Sequence, residues 1–531
     1  MSQILVSGLT FGYDADRELI FEGVSFSLDT RWKLGLIGRN GKGKTTLLRL
    51  LLGELEHRGE ILMPVKADYF PFALPDEELP ALLAVREILA PYGRMEREME
   101  KMLALGEAGA ERYGEVLEQY LDRGGYTVEE RLAREARLLQ IDPEALGRKF
   151  SLLSRGERTK LMLAALFLKD NGFLLIDEPT DHLDSAGRET LARYLAASGK
   201  GYILVSHDRD FLDRCTDHVL SIGRNSIEVQ RGNFSTWEEN REQRENFEAA
   251  EDERLKKDIR RLKQAAAQRA SWAEKAEQGK LGSRNSGLRP DRGYIGHKAA
   301  KMMKRASSIE RRTEEAIREK EMLLREREHS EPLKLQMLLH PQRRLLELRE
   351  VSVLYGGRPV FAPVSFCVEQ GERIALEGAN GSGKTSLFRL LLGEELEHAG
   401  QVSRAAGLEI SCAEQDTSRL RGSLSDYIAG RGLPESLLKA VLRKMDFSRE
   451  QFQRPLERYS EGQKKKLLLA ASLCRPGHLL LWDEPLNYVD VLSRMQLEEL
   501  LCEFSPTILF VEHDGAFRRR VAQRTVRLQK P

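Results

Sequence analysis

Nine residues near the start of the chain and nine in its second half have the types and spacing to hold a chain of phosphates. The first run is Gly38, Arg39, Asn40, Gly41, Lys42, Gly43, Lys44, Thr45 and Thr46; the second is Gly378, Ala379, Asn380, Gly381, Ser382, Gly383, Lys384, Thr385 and Ser386. The interleaved glycines let the backbone curl until successive N–H groups face one centre, and a helix opening at the lysine adds its positive dipole end. Lys44 and Lys384 would act as point charges on the outer phosphates, with the hydroxyls of Thr45 and Thr385 on Mg²⁺. ATP and Mg²⁺ are the cofactors this pattern implies.

Each loop has an acidic partner downstream. FLLIDEPT (173–180) and LLLWDEPL (479–486) are apolar runs of strand length that end in Asp-Glu-Pro. Asp177 and Asp483 would reach the Mg²⁺ shell at the carboxyl edge of a sheet, and Glu178 and Glu484 could polarise an attacking water. A further apolar run ends in His207 in the first half and in His513 in the second, each 30 residues after its aspartate. Equal spacing supports equal roles, so the candidate catalytic residues are Glu178, Glu484, His207 and His513.

The elements needed to position these groups are short buried strands feeding a loop and then a helix. KLGLI before the first loop and RIALE before the second are such strands, and TTLLRLLL and TSLFRLLL are such helices. The expected fold class is α/β: two tandem P-loop ATPase domains, residues 1–240 and 346–531, joined by a long helical hairpin over 241–345. With 41% hydrophobic and 31% charged residues the composition is that of a globular chain, which excludes collagen and wholesale disorder. The longest apolar run, LMLAALFL (161–168), is far short of the roughly 20 residues a membrane span needs. The N-terminal sequence lacks a basic region followed by an apolar core, so a cytoplasmic location is expected. Five scattered cysteines have no paired spacing and read as buried free thiols.

The formal net charge of +1 hides a local imbalance. From Arg260 to Arg312 there are 15 Lys or Arg against 4 acids, a net of +11. That excess favours a polyanion over a plain solvated face. Phe247, Leu255, Ile259 and Leu262 recur at helical spacing, as do Met302, Ile309, Ala316 and Leu323, so two helices could zip antiparallel around a Gly-, Ser- and Pro-containing tip at about 279–296. The candidate RNA contacts are Lys280, Arg284, Arg289, Arg292, Tyr294, Lys298, Lys301, Lys304 and Arg305: arginine forks suit phosphates, and an aromatic can stack on a base.

Between loop and acidic strand stand LSRGERTK (153–160) and YSEGQKKK (459–466), each opening a helix, and these resemble the signature sequence of ABC ATPases. Two copies on one chain with a basic helical linker resemble the ABC-F proteins. The Trp32–Leu52 block, GYIGHKAAKMMKR, WDEPLNYVD and EHD resemble the antibiotic-resistance ABC-F proteins of the Lsa type. The resemblance implies a monomer whose two ATPase domains pair head to tail, each ATP lying between one phosphate loop and the other domain's signature. One site would combine Lys44, Thr45, Asp177, Glu178 and His207 with Ser460, Gly462 and Gln463. The other would combine Lys384, Thr385, Gln415, Asp483, Glu484 and His513 with Ser154, Gly156 and Glu157. Tyr13 and Tyr355 would stack on adenine, a core tyrosine being the other reading.

Departures from the family pattern are as informative. Phe72 stands where the second half has Gln415, so the first site lacks the amide that the family places on Mg²⁺ and water. Arg155 and Glu461 replace the usual signature glycine. The first half is also longer between loop and signature, and the excess within 75–142 resembles the family's arm or is an enlarged helical subdomain. The implied partner is the ribosome, through rRNA and P-site tRNA, with no DNA and no permease. The implied function is ribosome protection from near the tRNA exit site, the linker tip perturbing the peptidyl-transferase region to give resistance to lincosamides, pleuromutilins and streptogramin A. A housekeeping ABC-F translation factor and an exporter ATPase are the alternatives.

Overall fold

The computed structural model describes residues 2–13, 19–180, 183–223, 226–244, scattered positions between 246 and 264, 338–379, 381–413, 417–418, 420–445, 447–448, 450–486 and 489–531. The chain divides into two compact units, Met1–Trp237 with Leu333–Pro531, and Glu238–Pro332.

In the first half the strand order is Ala67–Phe70, Phe173–Asp177, Gly201–Val205, Lys33–Gly38, His218–Ile222, Ile227–Arg231, parallel except for the last pair. The second half repeats it as Ile410–Cys412, Leu479–Asp483, Ile508–Val511, Arg373–Glu377, Arg524–Arg527, all parallel. Phe173, Leu174, Leu175 and Ile176 are all fully buried, which is why this stretch is a continuous apolar run rather than an alternating one: both faces of a parallel sheet are covered. A smaller antiparallel sheet accompanies each, built on Gln3–Phe11 and on Arg344–Tyr355. The latter strand begins at Arg344, two residues inside the expected linker.

The excess length of the first half is a helical hairpin. Ala81–Leu89 and Val128–Leu138 have counterparts in Leu424–Arg431 and Glu435–Lys444, whereas Tyr92–Ala104 and Ala110–Asp122 have none. Arg86 ties the hairpin down. Buried at 8% exposure, it bonds Glu96 at 2.7 Å and Glu129 at 2.8 Å, while Tyr120 donates to Glu96 at 2.8 Å.

The described residues between 234 and 264 are helical, as expected for the outgoing linker helix. Phe247, expected on its packed face, is 69% exposed. Residues 265–337 lie outside the described residues, and with them the return helix and all nine candidate RNA contacts from Lys280 to Arg305. Among the described residues no helix is long and apolar enough to cross a membrane. All five cysteines are free thiols, but only Cys215 and Cys474 are buried as expected, while Cys367, Cys412 and Cys502 are partly exposed.

Candidate functional site

Both phosphate loops are built alike. Gly43 and Gly383 cap their helices, Lys44–Leu51 and Lys384–Leu392, at φ +89° and +83°. Only glycine fits there: a Cβ at Gly43 would lie 2.5 Å from Ile20, and one at Gly383 would lie 2.7 Å from Val360. Lys44 Nζ donates to the Gly38 carbonyl at 2.7 Å and to Asn40 Oδ1 at 3.1 Å; Lys384 Nζ donates to the carbonyls of Gly378 at 2.9 Å and Ala379 at 3.1 Å. Burial pushes both ammonium groups below the ordinary lysine range, against the pull of the neighbouring carboxylates. A pair of buried cations curled onto their own loop carbonyls suits an arriving polyanion.

The acidic strands deliver their residues where the spacing places them. Thr45 donates to Asp177 Oδ2 at 2.8 Å and Thr385 to Asp483 Oδ2 at 2.7 Å. The next residues, Glu178 and Glu484, sit at φ 49° and 47°, a left-handed conformation that costs a non-glycine residue about 1–3 kcal/mol. Each is held there by its backbone N–H on the neighbouring strand, at Val205 (2.9 Å) and Val511 (3.0 Å). His207 Nε2 lies 3.0 Å from Glu178 Oε1, and His513 Nε2 lies 3.1 Å from Glu484 Oε1. Burial first, then Lys44 and Arg494, hold the His207 imidazole well below its ordinary range, so it is neutral. The twin strain at Glu178 and Glu484 carries no sequence signal, since glutamate has no special turn preference.

The donor set fits Mg²⁺ bound with a nucleotide. A hydroxyl and a carboxylate oxygen are hard ligands, and among the described residues no cluster of His, Cys, Asp or Glu would hold a metal unaided. Mg²⁺ keeps waters and takes one or two carboxylates plus substrate phosphates, which is what Thr45 with Asp177, or Thr385 with Asp483, leaves room for. In the second loop the Ser382 hydroxyl is buried without a hydrogen-bond partner among the described residues, a donor that a phosphate oxygen would satisfy. Asn380 and Gln415 lie outside the described residues.

Tyr13 and Tyr355 are not core residues. They are 43% and 51% exposed, with their hydroxyls 3.3 Å from Thr46 and 3.2 Å from Ser386 at the start of the loop helices. Phe72 instead packs on the first domain's core, edge-on to Phe70. Ser154 and Ser460 are helix N-caps. Ser154 forms a reciprocal capping box with Glu157, and Ser460 forms one with Gln463, so these signature residues have a local role that their sequence context also accounts for. Gly156 and Gly462 lie in the first turn of the helices so capped, Arg155–Leu168 and Glu461–Cys474.

The first loop faces the second domain. Asn40 N–H in the first loop donates to Asp490 Oδ2 of the second domain at 3.3 Å, and Asp490 pairs at 2.7 Å with Lys466, six residues into the second signature helix after Ser460. Burial opposes ionisation of Asp490, but Lys466 and Lys44 outweigh it and hold the carboxyl well below the usual range. Arg494, one turn further, donates to the backbone carbonyl of His207 at 3.1 Å. The local contacts are shared by both halves: Asp184 caps its own helix at Gly187 as Asp490 does at Ser493, and Arg188 bonds Leu183 and Asp208 as Arg494 bonds Val489 and Asp514. The structure thus brings the first loop against Asp490, the N-cap of the second domain's helix Val491–Phe504, which Lys466 of the signature helix holds in place; Asn380, the matching residue of the second loop, lies outside the described residues.

Two further ion pairs join the domains beside the first site, and no motif announced them. Arg209 makes a two-pronged contact with Glu498, both almost fully buried, and Arg519 bonds Asp210 at 2.6 Å. Val491 and Met495, from the same helix as Glu498, are part of the first domain's core.

Tandem P-loop ATPase domains are what this fold and these two sites define. The sequence profile described as ABC transporter matches residues 21–181 and 361–487, more than half of the chain, and the chain belongs to that family, within its ABC-F branch. It is similar to the ATP-binding protein Uup of Caulobacter vibrioides, 30% identical over 96% of this chain and 74% of that one. It is also similar to the ribosome protection protein VmlR of Bacillus subtilis (28%, covering 97% and 84%) and to the energy-dependent translational throttle protein EttA of Haemophilus influenzae (28%, covering 95% and 88%). A solved RNase-L inhibitor shares the fold, with a TM-score of 0.55 at 18% identity, over 98% of this chain and 87% of that one. The protein is an ATPase whose domains bind ATP.

Proposed function

We propose that the chain is a ribosome-bound, cytoplasmic ATPase that protects the peptidyl-transferase region. ATP held with Mg²⁺ at Lys44, Thr45 and Asp177, and at Lys384, Thr385 and Asp483, draws the two domains together. Glu178 and Glu484, each beside a histidine, take the proton from water. The linker carries the consequence to RNA. The observation behind this reading is the net of +11 over Arg260–Arg312 between two ATPase domains, a charge density suited to rRNA and tRNA phosphates. A relative named for ribosome protection, matched over 97% of this chain, points the same way. Such a factor would sit near the tRNA exit site and reach drug-binding RNA by its tip, giving resistance of the Lsa type to lincosamides, pleuromutilins and streptogramin A. The equal identity to the throttle protein favours a second reading, a translation factor with no drug role.

Replacing residues 281–294 by a short Gly-Ser turn tests both. Ribosome co-sedimentation with a non-hydrolysable ATP analogue should survive, since the grip is spread along the hairpin, while tolerance to the three drug classes disappears. Drug tolerance unchanged by that replacement rejects the tip mechanism. No tolerance from the intact chain leaves the translation-factor reading.

A further inference from the structure

The sheet edge beside the first acidic strand carries a group that the reading above does not use. Tyr69, on the edge strand Ala67–Phe70, lies opposite Leu175, and its hydroxyl donates to Asp177 Oδ2 at 3.1 Å. That oxygen is the one that accepts from Thr45. The second half has Cys412 at the same register, opposite Leu481. Three residues on from each along the sequence stand Phe72 and Gln415, so the half without the amide has a phenol on its edge strand aimed at its own aspartate.

We propose that Tyr69 is a positioning residue for the first nucleotide site, its hydroxyl holding Asp177 in the orientation that completes the Mg²⁺ shell with Thr45. The proposal rests on the assignment of Asp177 to Mg²⁺. Its chemistry is that of a donor to a carboxylate: a carboxylate fixed by two hydroxyls on one oxygen presents its other oxygen outward, without searching rotamers. Half-buried between the strand and the loop helix, the phenol is a donor and not an anion. Burial, then the charge of Asp177, push its ionisation above the ordinary tyrosine range. A cysteine at this place has a shorter side chain and a weak S–H donor.

The test uses the full chain with Lys384→Ala, so that signal comes from the first site, and with Glu178→Gln and Glu484→Gln to stop turnover. Binding of a fluorescent ATP analogue is followed as Mg²⁺ is added. Tyr69→Phe, which keeps the ring, should raise the half-saturating Mg²⁺ concentration about tenfold, the lower end for a hydrogen bond to a charged group. Tyr69→Cys should do the same, and nucleotide binding in EDTA should be unchanged by either. An unchanged Mg²⁺ requirement in Tyr69→Phe, where Asp177→Asn raises it, overturns the positioning role. An equal loss of binding in EDTA also overturns it, since the tyrosine would then be supporting the loop alone. If Asp177→Asn itself leaves the Mg²⁺ requirement untouched, the metal assignment fails first, and the role of Tyr69 with it.

Discussion

The two halves carry the same chemical groups at the same spacing, yet they are not the same device. Within each domain the geometry repeats closely: threonine on aspartate at 2.8 and 2.7 Å, histidine on glutamate at 3.0 and 3.1 Å, the glutamate strained at φ 49° and 47°. Between the domains, two ion pairs have no equivalent residues on the other side. Arg209 aligns with Gly515, and Glu498 with Ala192, so the buried pair on the first site's side cannot be formed on the other. Asp210 and Arg519 align with Ala516 and Asp213, and that pair too exists once. Duplication preserved the chemistry of each site while substitutions at the seam tied the domains together on one side. Local motifs thus report what each site does, and contacts with no motif report how the domains are joined around it.

Removing both glutamates tests the repeated part and carries the largest expected effect. Glu178→Gln with Glu484→Gln should lower steady-state ATP hydrolysis about 10²- to 10⁴-fold, the usual scale for loss of a general base, with ATP binding retained. Near-normal turnover of the purified double variant would end the catalytic assignment in both halves.

The seam comes next. Glu498→Leu removes the two-pronged partner of buried Arg209 and leaves Asp514 at 3.6 Å, so the loss should approach the value of about 3–5 kcal/mol typical of breaking a buried pair. A lowered midpoint in chemical denaturation would show it. Arg209→Met added to Glu498→Leu should recover most of the loss, because a matched apolar pair removes both desolvation penalties. No recovery would mean that the arginine acts through Asp514, 3.6 Å away, rather than through Glu498.

How much of this was legible in the sequence follows from what each residue needs. Phosphate loops, acid-ended strands and the two histidines need fixed residue types at fixed spacing, which is why a reading of the sequence could single them out; their described members lie together in each half. The helical excess of the first half was placed within 75–142. Its hairpin became distinct only through the ties of Arg86 to Glu96 and Glu129, because charged helix faces look alike until a partner is seen. Arg209–Glu498 was illegible within either half alone; setting the halves side by side, where charged residues oppose Gly515 and Ala192, was the available signal. Tyr69 was hidden because a tyrosine in an edge strand usually means packing. The tip residues rest on composition and charge alone.

A smaller effect separates the two sites directly. With Phe72 in place of the glutamine, Glu484→Gln alone should reduce ribosome-stimulated hydrolysis more than Glu178→Gln alone. Equal losses in one assay would show that the sites turn over as a strict unit despite their different seams.

That the first site is held between the domains by ion pairs whose residues the other side lacks has a direct measurement. Spin labels on a cysteine-free chain can span each site from the far end of the loop helix to the segment before the facing signature: Glu54 with Arg458 at the first, Glu394 with Leu152 at the second. Distances are read by pulsed dipolar spectroscopy without nucleotide and with ATP in the Glu178→Gln, Glu484→Gln background. The account predicts that ATP shortens the second distance by several ångströms and leaves the first nearly unchanged. Equal shortening at both sites, or movement confined to the first, would contradict it.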